Sequence, residues 1–226
     1  MTKLSDDNII ASWHKNARPW VNAIRNNEIP SRVLVTNQAI IDTITQLAPK
    51  TVLDIGCGEG WLVRELIKGA IDCLGVDGVP ALVDSACKGG AGRFKTLSYA
   101  QLANNELHET FDLAVCNFSL LGNESVNGLF QAIPSLLNKD GYFVVQTLHP
   151  LATCGAEHYT DGWREGSWDG FSDQFHDPAP WYFRTLESWQ ALFTNHDLPL
   201  KQIIEPTKPD DRQPISIIFV AQRLTK

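Results

Sequence analysis

Thr51-Val52-Leu53-Asp54-Ile55-Gly56-Cys57-Gly58-Glu59-Gly60 decides how this chain folds. Val52, Leu53 and Ile55 read as a short buried strand, with Asp54 as a polar interruption near its end. The glycines at 56, 58 and 60 let the backbone turn sharply and let a ligand approach atoms that a Cβ would shield. A helical pattern starts at once: Leu62, Val63, Leu66 and Ile67 share one face, and Gly69 is placed to end it. Strand, glycine turn and helix in that order are the nucleotide-binding opening of a doubly wound α/β sheet.

The spacing separates two kinds of nucleotide site. Dinucleotide sites want G-x-G-x-x-G and no carboxylate just ahead of the first glycine. Here the spacing is G-x-G-x-G, which disfavours an NAD-dependent oxidoreductase, and Asp54 stands two residues before Gly56. A carboxylate at that strand end suits a ligand with a cationic amino-acid head. The stretch Val-Leu-Asp-Ile-Gly-Cys-Gly-Glu-Gly resembles motif I of class I S-adenosylmethionine-dependent methyltransferases. The resemblance implies that the loop of Gly56, Cys57 and Gly58 packs against the methionine part of S-adenosylmethionine. It also implies a mostly parallel, seven-stranded Rossmann-like sheet with an antiparallel last strand.

Downstream, Ile71–Asp77 reads as a second buried strand ending in a carboxylate. Asp77 lies 21 residues after Gly56, the spacing at which an acidic group accepts hydrogen bonds from both ribose hydroxyls. By the family pattern, Gly78 and Val79 lie along the adenine. Ser98-Tyr99 falls where many family members carry an acidic residue for the adenine amino group. Ser98 is left to hydrogen-bond the ring and Tyr99 to pack against it. Phe111–Asn117 is an apolar fourth strand that matches the family's Phe-Asp opening. Asn117 and Phe118 stand at its carboxyl end beside the switch point, where the Asn117 backbone carbonyl can meet the cofactor's amino group.

The flanks carry the acceptor question. Residues 5–48 read as helices that form a lid. Ser5 is placed to cap the first, whose apolar positions include Ile9, Ile10, Trp13 and Ala17, and Pro19 is expected to end or kink it. Pro30-Ser31 opens a second helix with Val33, Leu34, Ile40, Ile41, Ile44 and Leu47 on one side. Arg32 starts that helix, and the resemblance implies a contact with the cofactor carboxylate. Asn123 is expected to cap a helix that Pro134 kinks, and Asn138–Gly141 to turn the chain into a strand over 142–147.

Residues 148–184 break the rhythm with an aromatic-rich insertion, expected to cap the methyl-acceptor pocket. His149 follows the fifth strand and precedes Pro150, so it is the candidate general base for an alcohol or phenol acceptor. The carboxylates and histidines of the insertion match no metal-ligand spacing, so no metal is expected. Thr185 caps a last helix. Strands near 200–205 and 215–220, joined by a turn with Pro206, Pro209 and Pro214, form the antiparallel end pair.

One domain accommodates 226 residues: a lid (1–50), a cofactor core (51–147), the insertion (148–184) and the terminal helix and strands (185–226). A net charge of −7 and the lack of a basic run argue against a nucleic-acid partner. No stretch is long and apolar enough for a membrane span, and Met1–Ser5 lacks a signal-peptide core. Five cysteines without metal spacing fit small buried thiols in a reducing cytoplasm. The expected function is methyl transfer from S-adenosylmethionine to a small-molecule acceptor, with oxygen as a candidate atom. The different-class alternative is a non-catalytic S-adenosylmethionine-binding protein, a sensor or partner.

Overall fold

The computed structural model describes residues 4–155, 158–208 and 212–224, so Pro209 of the expected turn lies outside the described residues. The chain opens with α1 (Asp6–Arg25), a π-helical turn (Arg32–Thr36) and α2 (Asn37–Gln46). Strands and helices then alternate: β1 (Thr51–Ile55), α3 (Trp61–Lys68), β2 (Asp72–Asp77), α4 (Pro80–Lys88), β3 (Arg93–Thr96), α5 (Tyr99–Ala103), β4 (Phe111–Asn117), α6 (Glu124–Leu136) and β5 (Leu137–Leu148). The insertion holds α7 (Pro150–Thr153) and the strands β6 (Gly162–Arg164) and β7 (Trp181–Phe183). The chain returns through α8 (Leu186–Asn195), β8 (Leu200–Ile204) and β9 (Ser216–Gln222).

Seven strands form one sheet in the order β3-β2-β1-β4-β5-β9-β8. The first five run parallel, and β9 runs antiparallel to both β5 and β8. This is the doubly wound, mostly parallel sheet expected from the glycine turn, with its antiparallel last strand. Helices cover both faces, which is why β1 and β4 are almost wholly apolar. Val52, Leu53, Ile55, Leu113, Ala114 and Val115 are fully buried. Each large aliphatic side chain of that set contributes about 1.5–3 kcal/mol by leaving water.

Several local expectations are corrected. α1 runs unbroken through Pro19; the carbonyl deprived of its donor belongs to Lys15, an exposed residue, where water can take its place. α6 likewise continues past Pro134, which stands two residues from its end. Val33 and Leu34 do not share the apolar face of α2. The π turn widens the helix there and swings both into solvent while burying Arg32 and Thr36. The turn expected at Asn138–Gly141 is an irregularity inside β5: the register jumps from Phe111 opposite Leu137 to Leu113 opposite Tyr142, with Asp140 at φ +58°. The insertion is not devoid of regular structure, since Trp163 and Tyr182 pair across the β6–β7 hairpin.

Candidate active site

The carboxyl ends of β1, β2 and β4 open under α1 and enclose a cavity of about 350 Å³. The glycine turn is its floor. Gly56 N–H and Cys57 N–H both donate to Val76 O, at 2.8 and 3.0 Å, which folds the turn back against β2. Gly56 adopts φ +76°, and a Cβ there would run into Ser119 Cβ. Gly60, at φ +82°, leaves no room either, because a Cβ would sit 2.7 Å from the Phe94 ring. At the end of β4, Phe118 also takes a positive φ, +54°, while its N–H donates to Gln146 O. Such a conformation in a bulky residue is held by its surroundings and gathers at ligand sites.

Two carboxylates meet at this floor. Asp77 accepts from Gly58 N–H through Oδ2 and from Val79 N–H through Oδ1, both at 2.9 Å. Each oxygen keeps a lone pair for the cavity, as ribose recognition requires. Burial pushes the Asp77 carboxyl up, against the pull of those two N–H groups. Asp54 is 2 % exposed and stands behind the lining. Burial, then the charge of Asp77, pushes its carboxyl up to about 7, with Arg32 pulling the other way. A cation brought to this corner meets two carboxylates that desolvation has left in want of one.

Arg32 lines the cavity, is 9 % exposed, and has Nη2 buried without a hydrogen-bond partner. Its guanidinium lies 4.9 Å from the Trp61 ring centroid and 5.9 Å from that of Trp20. Desolvation lowers its pKa to about 10, so it stays a cation, with Glu59 and Asp54 supporting the charge. Glu59 is itself taken up by Arg25 and Arg64 at 2.9 and 2.6 Å. An uncommitted guanidinium nitrogen and the unpartnered Asn117 Oδ1 together suit a carboxylate and an ammonium.

The remaining expected cofactor residues line the same space. Gly78 and Val79 line the cavity with Ser98 and Tyr99, and a Cβ on Gly78 would lie 3.7 Å from Ser98 Cα. Ser98 Oγ is occupied as the cap of α5, accepting from Gln101 N–H at 3.2 Å, and the Tyr99 hydroxyl donates to Ser119 O at 2.9 Å. The Cys57 thiol is also a lining group, and burial pushes its pKa well up, so it is no thiolate. Of the twelve positions expected to hold cofactor, Asp54 alone stands outside the lining.

Another wall comes from α1, through Ile9, Ile10 and Trp13, and from Leu121 and Gly122 after β4. Asp6, near the start of α1, accepts from the N–H groups of Asn123 and Ser125, both at 2.8 Å. That carboxylate, rather than the Asn123 side chain, serves the amino end of α6. The insertion lines none of the cavity among its described residues. It braces α1 from behind instead. Asn16 is fully buried, accepts from His176 N–H at 2.9 Å and donates to His176 O at 2.7 Å. Trp168 meets Trp13, and Phe171 meets Trp20.

His149 is not brought to the site. Its ring is 2 % exposed, Nε2 lies 2.9 Å from Glu205 Oε1, and it lines no part of the cavity. Its position after β5 aims it toward β8, not toward the glycine turn. The sequence reading missed Trp61, Trp20 and Asp6 as parts of the site. Trp61, directly after Gly60, was the signal within reach: a large aromatic at the first turn of the helix that follows a ligand loop.

Residues 34–202 match the family described as methyltransferase domain. The chain belongs to that family. It is a class I S-adenosylmethionine-dependent methyltransferase, as motif I implied, with S-adenosylmethionine as its cofactor. A protein of Haemophilus influenzae described only as uncharacterised is 26% identical over 219 residues, covering 84% of this chain and 83% of its own. A ribosomal protein L11 methyltransferase of Desulfotalea psychrophila is 30% identical over 110 residues, which is 47% of this chain and 36% of that one. The fold is shared with the 1,6-didemethyltoxoflavin-N1-methyltransferase of Burkholderia thailandensis, at TM-score 0.65 and 16% identity, over 97% of this chain and 87% of that one. Bound in the cavity, the cofactor supplies an activated methyl group. The orphaned Arg32 nitrogen, the Asp77 lone pairs and the glycine floor are groups that fit it.

Proposed function

We propose that this methyltransferase acts on a small, apolar acceptor lodged between α1 and the loop after β4, and that the atom methylated is nitrogen. The observation that carries the reading is the state of the acidic groups around the cavity. Asp6 is held by two backbone N–H groups, Asp77 by two more, and Glu59 by two arginines. The Tyr99 hydroxyl is committed to Ser119 O, and burial pushes its pKa well up. Asp7 alone among the lining carboxylates carries no such partner among the described residues.

A free carboxylate is too weak a base for an alcohol, but it can pair with the cationic nitrogen that methyl transfer produces. A neutral amine or ring nitrogen needs no base to make it a nucleophile: its lone pair takes the methyl group, the donor sulfur leaves with the bonding pair as S-adenosylhomocysteine, and a proton borne by the nitrogen passes afterwards to solvent. The chain's work is then to orient that lone pair and exclude water, and Ile9, Ile10 and Trp13 are suited to both. The oxygen acceptor expected from His149 loses its support, since that ring faces Glu205. The Burkholderia protein, an N1-methyltransferase with 1,6-didemethyltoxoflavin and S-adenosylhomocysteine bound, supports the nitrogen reading by likeness of fold only.

A nucleic acid is not the acceptor in this reading, which rests on the net charge of −7. Cytoplasmic residence is proposed from the five cysteines, all unpaired thiols. No helix of the described residues is long and apolar enough to cross a membrane. The test is transfer of labelled methyl to a matched panel of amines, nitrogen heterocycles, phenols and thiols. Turnover confined to nitrogen acceptors is expected. Turnover of phenols at a comparable rate would sink the nitrogen assignment. Tight cofactor binding with no turnover across the panel would favour the non-catalytic alternative.

A further inference from the structure

Among the described residues five buried side-chain polar atoms lack a hydrogen-bond partner: Arg32 Nη2, Thr36 Oγ1, Asn117 Oδ1, Gln146 Oε1 and His149 Nδ1. Register places two of them, those of Asn117 and Gln146, on one face of the sheet. Asp54 is opposite Val115, Asn117 opposite Gln146, Gln146 opposite Ile218, and Leu148 opposite Ser216. Register partners point to the same side, and so do residues two apart along a strand. Asp54, Asn117, Gln146 and Ser216 therefore form one polar row at the ligand end of the sheet. Val115, Val144 and Ile218 continue the same face as core packed with Ile40 and Ile44 of α2. The π turn leads directly into α2; its Arg32 lines the cavity at this end of the sheet, and Thr36 stands one turn before Ile40.

Four atoms of this region are buried with no hydrogen-bond partner: Arg32 Nη2, Thr36 Oγ1, Asn117 Oδ1 and Gln146 Oε1. Thr36 is 3 % exposed and Gln146 is 1 % exposed. Gln146 Nε2 donates to Ser216 Oγ at 3.2 Å, so the amide turns its nitrogen to β9 and its oxygen away from it. Buried polar groups without partners carry their full desolvation cost, and folded proteins keep few of them. Two of the four can donate and two are carbonyl acceptors. A zwitterion satisfies both kinds, and an α-amino acid group is the small zwitterion that such a set fits.

We propose that Thr36 and Gln146 complete the seat for the amino-acid end of the methyl donor, Thr36 with Arg32 on the carboxylate side and Gln146 with Asn117 on the ammonium side. This rests on the cavity being the donor site. Neither residue lines the cavity, so they are positioning residues that act through an ordered water. That water accepts from the Thr36 hydroxyl, donates to Gln146 Oε1, and keeps one donor and one acceptor site for the ligand. The π turn supplies the reason for its own geometry. It inverts the usual burial, exposing Val33 and Leu34, and thereby turns Arg32 and Thr36 inward together.

The experiment compares two ligands by calorimetry on the full chain. S-adenosylhomocysteine carries the amino-acid end, and 5′-methylthioadenosine lacks it. The variants are Thr36→Val, which keeps shape, and Gln146→Met combined with Ser216→Ala, which leaves no hydroxyl unpaired. Each is expected to bind S-adenosylhomocysteine about tenfold more weakly or worse, and methylthioadenosine within about twofold of the parent, with the unliganded melting temperature unchanged or raised. Unchanged affinity for S-adenosylhomocysteine in both variants would overturn the seat while leaving the donor site intact. Equal loss for both ligands would overturn it as general structural damage. Binding of neither nucleoside by the unsubstituted protein would overturn the reading of the cavity itself.

Discussion

The glycine turn below the cavity and α1 above it enclose the same space by different means. The turn is held by backbone bonds to Val76 O and by Ser119 Oγ, which donates to Ile55 O at 2.8 Å, all inside a buried parallel sheet. α1 packs Ala17 and Val21 on Val79 and Leu82 and sets Trp13 and Trp20 against rings of the insertion, and its remaining ties are hydrogen bonds that reach across the chain. Asn16 reaches His176, Ser12 Oγ donates to Asp177 O at 2.6 Å, and Asp6 reaches the start of α6. A floor built from the core cannot yield without loss of the fold. A lid held by a few ring contacts and long-range hydrogen bonds can open locally while the sheet stays folded.

The harshest way to probe the floor is Gly56→Val. The backbone there is left-handed, and the first carbon of any side chain meets Ser119 Cβ. Conformational strain and overpacking add, for an expected loss of about 4 kcal/mol in urea unfolding, with cofactor binding abolished. Parental affinity for S-adenosylhomocysteine in this variant would show that the turn is not a rigid floor at all.

Asp54→Asn asks whether the floor is shaped for stability or for ligand. Burial raises the carboxyl from an ordinary 3.8 to about 7. The folded chain therefore binds the proton more tightly than the unfolded one between about pH 4 and 7, and stability falls as pH rises through that window. A shift of three units is equivalent to about 4 kcal/mol at most. The neutral amide escapes this cost, so the unliganded variant is expected to gain about 2 kcal/mol at pH 8 and nothing near pH 4. Its affinity for S-adenosylhomocysteine should fall at least tenfold, because the ammonium loses its counter-charge. A flat difference in stability across pH would show that Asp54 is not the titrating group.

The same contrast explains what could be read before the structure. β1, β2 and β4, the turn between Gly56 and Gly60, and the carboxylates Asp54 and Asp77 were legible because their signals are local: an apolar run, a glycine spacing, an acid at a strand end. The wall of α1 was half legible. Periodicity found Ile9, Ile10 and Trp13, but nothing in it says which space they face. The partnership of Asn16 with His176 was beyond reach, since 160 residues separate them and neither belongs to a motif. His149 misled for a related reason. The end of β5 is at the ligand face, but whether a ring turns to the cavity or to Glu205 depends on β8 and the loop after it. The π turn was invisible because its extra residue per turn moves the burial phase by one position, which pattern matching cannot anticipate.

Asn16→Ala is the gentlest probe and the one that tests the lid alone. The side chain is fully buried, and its loss leaves His176 N–H and O without their partner. One unmatched backbone pair and a small void correspond to about 1–2 kcal/mol, but that cost falls on the lid rather than on the core. Amide exchange over residues 6–20 and 168–177 is expected to quicken about tenfold while β1 and β4 keep their protection. Methyl transfer should slow, because an open lid admits water beside the acceptor, yet affinity for S-adenosylhomocysteine should change by less than about threefold. Exchange that quickened equally in β1 and β4 would mean that the insertion and the sheet unfold as one unit. α1 would then be a part of the core that happens to border a cavity, and the division between floor and lid would not hold.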